Sequence, residues 1–148
     1  MKVLWKREAM KPSIAMACCL IVGSIIATNS AGQVGVNWTT TKDRTGACQI
    51  SVPKNWGQSI TLVKGSGRVR TLSPETQKMV SQRMLENTDK LVLYVMKSTP
   101  TPGAKPAITY MASVPGEGFH CTAQLIVQPS YSDNEIKRIV ATLSAKAP

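Results

Sequence analysis

The sequence predicts an α+β fold: an antiparallel sheet of about five or six strands with two main helices. Three observations carry that prediction. Short segments of strand-like character are joined by brief Pro- and Gly-bearing turns, which favours antiparallel neighbours. Two segments open with helix-start chemistry. The uninterrupted apolar run Leu91–Met96 asks for a strand covered on both faces, so the expected layering is an α/β/α sandwich.

The elements follow in order. Gln33–Gly46 is polar and has no apolar period, so it reads as a leader. Its triplet Asn37-Trp38-Thr39 fits a glycosylation sequon, which matters only in a eukaryotic secretory pathway. Cys48–Val52 alternates apolar and polar residues, the period of a half-buried strand, and Pro53 with Lys54–Gly57 turns the chain. Ser59–Val63 is a second strand, closed by Gly65-Ser66-Gly67. Arg68–Leu72 is a short third strand or an extended loop.

Ser73-Pro74-Glu75 supplies a cap, a first-turn proline and an acid at the positive end of a helix dipole. Met79, Val80 and Met84 continue at helical spacing, which predicts a helix ending near Asn87. Thr99–Pro106 is a loop, Ala107–Met111 a strand and Val114–Gly118 a turn. Phe119–Val127 is a long strand stopped by Pro129. Ser132–Glu135 opens a final helix, whose apolar face is Ile136, Ile139, Val140 and Leu143.

The 148 residues are 43% hydrophobic and 18% charged, too apolar for a disordered chain. No apolar run reaches the length of a confident membrane span. Together these exclude collagen, coiled coil, polytopic membrane protein and repeat array.

The N-terminus has Lys2, Lys6, Arg7 and Lys11, an uncharged stretch Ser13–Ala27, then small residues at Thr28, Ser30, Ala31 and Gly32. This is the pattern of a secretory signal peptide over residues 1–32, cleaved after Ala31 or Gly32. A retained signal anchor competes with it, but the apolar span is short for a bilayer that needs about 20 residues. Cys18 and Cys19 lie too early in the apolar segment for a lipoprotein. The expected organisation is a signal over 1–32, a polar leader over 33–45 and one globular domain over 46–148, exported to the periplasm or secreted, with no stable span after signal removal.

Removing the signal takes four of the 18 Lys and Arg and one of the eight acids, Glu8, so 14 cations and seven carboxylates leave a net charge of +7. Cys48 and Cys121 remain and predict one disulfide, with two buried thiols as the alternative.

Two segments, Val52-Pro53-Lys54-Asn55-Trp56 and Asp133–Leu143, resemble small exported domains of the PsbP/Mog1-like superfamily. The resemblance covers about 16 residues. It implies an α/β/α sandwich in an accessory or binding role, a fold that serves varied functions.

Candidate chemistry is sparse. His120 is the one histidine, and on a strand it points away from its neighbour Cys121, which disfavours a Cys–His nucleophile pair. One histidine and two distant cysteines fill no zinc site, so no metal or cofactor is expected. Glu75, Asp133 and Glu135 are helix-start acids, and Glu117 lies in a turn flanked by glycines. No nucleophile elbow or phosphate loop occurs; Gly65-Ser66-Gly67 reads as a turn.

Positive charge is what remains. Lys64, Arg68 and Arg70 surround that turn, with Arg68 and Arg70 on one side of an extended segment, and they are the anion-binding candidates. The charges are not interleaved with aromatics, so nucleic acid is not an expected partner. The expected function is a non-catalytic exported domain that recognises a protein or an anionic envelope component. A small secreted hydrolase or transferase built from dispersed Ser, Asp and Glu is the alternative, with an inhibitor-like domain as a third reading.

Overall fold

A computed structural model describes residues 37–146. The expected export signal lies outside the described residues. In chain order the elements are β1 (Trp38–Lys42), β2 (Cys48–Pro53), β3 (Ser59–Ser66), α1 (Pro74–Val80), β4 (Ser81–Asn87), β5 (Val92–Met96), β6 (Ile108–Pro115), β7 (Phe119–Val127), α2 (Asp133–Val140) and β8 (Ser144–Ala145). They form a five-stranded antiparallel sheet, β3-β7-β6-β5-β4, and a three-stranded one, β1-β2-β8. The fold is α+β, as the sequence predicts.

The two faces of the large sheet differ because β7 alternates strictly. Phe119, Cys121, Ala123, Leu125 and Val127 are buried, while His120, Thr122, Gln124 and Ile126 are not. Cross-strand register extends this division to Leu93, Val95, Tyr110 and Ala112, which share the buried inner face. That face packs in one core with Cys48, Ile50 and Val52 of β2 and with Ile136, Ile139, Val140 and Leu143 of the last helix and its exit. The layer on the inner side is therefore the small sheet together with α2. No polar or charged residue is buried among the described residues.

Cys48 and Cys121 are joined in a disulfide with their Cα atoms 5.5 Å apart, linking β2 to β7 across this core. Their separation of 73 residues makes the link worth about 4 kcal/mol in the loop-entropy account.

A polar clamp holds α2 in place. Ser132 and Glu135 form a capping box, with the Ser132 amide donating to Glu135 Oε2 at 2.7 Å. Asp133, at the first helical position, accepts from the Tyr110 hydroxyl of β6 at 2.8 Å and from Arg83 Nη2 of β4 at 2.7 Å. Burial pushes the Asp133 carboxyl up. The hydrogen bonds from Tyr110 and Arg83 outweigh burial and hold it below its ordinary value. Burial, together with the hydrogen bond that the Tyr110 hydroxyl donates to Asp133, pushes that hydroxyl up to about 12.

Several segments depart from the sequence reading. Gly65 and Ser66, expected in a turn, continue β3 opposite His120 and Phe119, and Val114 and Pro115, also expected in a turn, complete β6. The helix expected to run to Asn87 stops at Val80, and Ser81–Asn87 is the edge strand β4. Its pairing with β5 is interrupted between Ser81 and Arg83 and between Met84 and Glu86. Such irregularities break the period-two pattern that marks a strand, so Met84 and Leu85 follow one another as they would on a helix. Trp38–Lys42, expected within a polar leader, pairs antiparallel with β2. All five of its residues are exposed, so no apolar period exists to reveal it. Arg68–Leu72 adopts the extended-loop alternative rather than the strand.

The clamp gives a testable sign. Asp133 titrates below its ordinary value of 3.8 in the folded protein, so its contribution is present above that value and is lost as pH falls through the folded one. Unfolding free energy measured from pH 7 downward should therefore fall less steeply in Asp133→Asn than in the parent. An equally steep acid limb in both proteins would contradict the clamp.

Candidate functional site: a basic strap on an open sheet face

β3 and β4 follow one another in the chain yet form opposite edges of the same sheet. With strands spaced about 4.8 Å apart, the connection must span roughly 19 Å. Residues 67–73 make that crossing as a strap over the outer face. Gly67 has φ +79°, a conformation suited to glycine, and turns the chain out of β3.

The strap is pinned at both ends. At the first, the Gly67 amide donates to the Gly118 carbonyl at 3.3 Å, and its own carbonyl accepts from His120 Nδ1 at 3.1 Å. At the second, the Leu72 amide donates to Asn87 Oδ1 at 2.8 Å. Asn87 Nδ2 and Gln77 Nε2 donate to the Leu72 carbonyl at 3.0 and 2.9 Å. Between the pins Val69 and Leu72 are half-buried, whereas Arg68 and Arg70 are exposed. Around Val69 the extended backbone thus turns the apolar side chain inward and leaves both flanking guanidinium groups exposed, while Leu72 is held by its hydrogen bonds to Asn87 and Gln77.

His120 reaches the strap because its cross-strand partner is Gly65. Its ring lies on the bare glycine backbone: a Cβ at Gly65 would sit 2.2 Å from His120 Nε2. Only glycine leaves room for the ring here.

Below the strap the outer face is uncharged. One cross-strand row runs Thr61, Gln124, Met111, Tyr94, Met84, and the next runs Val63, Thr122, Ser113, Val92, Asn87. Ser113 and Thr122 share a hydroxyl–hydroxyl bond of 2.9 Å. Asn87 and Ser81, on the outer side of β4, bond to Leu72 and to the Gln77 carbonyl, so the strap end and α1 occupy the β4 side. The face over β3, β7 and β6 stays open, with Val63 54% and Ile126 37% exposed. A cleft of about 530 Å³ lies beside Thr109, lined by Lys105 and by loop residues that include Ser98, Thr101 and Pro106.

The carboxylates are largely occupied elsewhere. The Cys48 amide and the Thr45 hydroxyl hold the Asp43 carboxyl below its ordinary value. Glu75 and Glu135 serve the helix starts, and Asp133 serves the clamp. Among the described residues Arg83–Asp133 is the one ion pair, so Arg68 and Arg70 have no carboxylate at ion-pair distance there.

The structure brings two of the three candidate cations together. Arg68 and Arg70 lie two residues apart on the strap, and both are exposed. Lys64 pairs in register with Cys121 and points to the inner side of β3, where its ammonium lies 4.6 Å from the centre of the Phe119 ring. His120 and Cys121 point to opposite faces, and the disulfide occupies the thiol. Among the described residues no three His, Cys, Asp or Glu side chains group as metal ligands. The anchoring roles of His120, Asn87 and Gln77 were not visible in the sequence, because each depends on a cross-strand or strap contact that no local spacing encodes. No protein-family model, curated protein or solved structure matches this chain.

The Gly65–His120 contact predicts a specific coupling. Gly65→Ala should expel the imidazole, break its bond to Gly67 and raise hydrogen exchange at the Gly67 and Leu72 amides. In a His120→Ala background the added methyl meets no ring, so Gly65→Ala should cause little further change. Equal effects of Gly65→Ala in both backgrounds would contradict the latch.

Proposed function

We propose that this protein is a non-catalytic, exported binding domain that recognises an anionic site on a protein or envelope component through Arg68 and Arg70. One observation carries the reading: two exposed guanidinium groups stand on a strap pinned at both ends, with no carboxylate partner at ion-pair distance among the described residues. Guanidinium groups suit carboxylate and phosphate because their planar donors bind bidentately. A backbone fixed in advance loses less conformational freedom on binding. The excess of cations over carboxylates adds long-range attraction for an acidic partner.

The Cys48–Cys121 disulfide fits an oxidising compartment such as the periplasm or the extracellular space. Among the described residues no helix is long and apolar enough to cross a membrane. An accessory role of this kind agrees with the resemblance to PsbP/Mog1-like domains. Lys64 belongs to the other side of β3 and serves as an internal control.

Each lost charge-assisted contact costs about 1.5–3 kcal/mol. Replacing Arg68 and Arg70 together by Ala should lower recovery of the bound component from envelope extracts by roughly ten-fold or more, and should flatten its dependence on salt. Lys64→Ala should leave both unchanged. Undiminished binding by the arginine double variant would refute this reading, and a loss that follows Lys64 would move the site to the inner side of β3.

A further inference from the structure

The described domain carries fourteen cations and seven carboxylates, yet the open outer face has none of them. Its residues include Thr61, Val63, Met111, Thr122, Gln124 and Ile126. Solvated surfaces typically carry about a quarter or more of their residues as Lys, Arg, Glu or Asp. An uncharged face with two exposed apolar side chains, bounded by two arginines, is what a covered surface with a charged rim presents.

Charge and side-chain type select the occupant. A second copy of this chain does not fit, since the face offers no carboxylate and pairing would bring four guanidinium groups together without partners. Surfaces that lie on a bilayer expose Trp, Phe or Leu beside Lys, and the open rows hold Thr, Gln, Met, Val and Ile instead. Threonine hydroxyls and the Gln124 amide supply hydrogen bonds that a polypeptide can return. Met111 adapts its shape to an apolar side chain. The distance from β3 to β6 is roughly 10 Å, about the width of one helix.

We infer that the outer face of β3, β7 and β6 seats an acidic amphipathic segment of a partner protein, whose carboxylates meet Arg68 and Arg70 while its apolar side meets Val63, Met111 and Ile126. The inference rests on the anion-binding reading of the strap, and adds the class of partner and the place where it sits.

The test uses the full chain expressed in its native cell, with a photoreactive benzoylphenylalanine replacing Val63 or, separately, Thr122. The same probe at Thr40, on exposed β1, is the control. Irradiation should link both outer-face probes, but not the control, to one protein through a segment that combines apolar residues with clustered Asp or Glu. Val63→Asn, which removes the apolar surface at an exposed edge position without adding charge, should lower recovery of that protein several-fold. Adducts to phospholipid, to a second copy of this chain or to a segment without acids would overturn the inference, as would equal labelling from Thr40 or no adduct at all.

Two further outcomes separate the levels of the argument. An adduct at Thr122 that survives Arg68→Ala with Arg70→Ala sinks the anion reading while supporting the seat. Binding lost in the arginine variant but untouched by Val63→Asn supports the anion reading and overturns the seat.

Discussion

The arrangement turns on a topological constraint: β3 and β4 are consecutive strands placed at opposite edges of one sheet. The chain between them has to cross the sheet, and the inner face is already filled by β2 and α2. The crossing therefore runs over the outer face in extended form, and extended chain sends alternate side chains to opposite sides. Val69 goes inward, and Arg68 and Arg70 go outward. The position of the proposed anion site is thus a consequence of strand order.

The closed inner side makes the open outer side a rigid platform. The disulfide ties the small sheet to β7, and Asp133 ties α2 to β4 and β6 through Arg83 and Tyr110. These contacts lie on the side away from the strap. A shared scaffold with one sealed face and one uncharged face separates stability from recognition, since substitutions at the outer rows leave the disulfide and the clamp intact.

Much of this fold was legible in the sequence, and the exceptions have physical causes. Alternation exposed β2, the long run up to Pro129 exposed β7, the capping residues exposed α2, and the cysteine pair outside residues 1–32 exposed the disulfide. β1 was hidden because both of its faces meet solvent, and β4 because irregular pairing displaces its apolar residues. The strap's extended form was one of two readings that the sequence allowed. Alternation grouped Arg68 with Arg70, and both are exposed. Proximity along the chain also grouped Lys64 with them, but one strand position reverses the direction of a side chain. The uncharged face could not be read locally, since it is assembled from three strands whose order no single segment reveals.

Hydroxyl-radical footprinting of the protein, free and in its partner-bound form from envelope extracts, would show which face is covered. Val63, Met111 and Ile126 should be protected on binding, with Trp38 on β1 labelled equally in both states. Protection confined to Trp38 and the small sheet, with the outer rows unchanged, would contradict the outer-face seat.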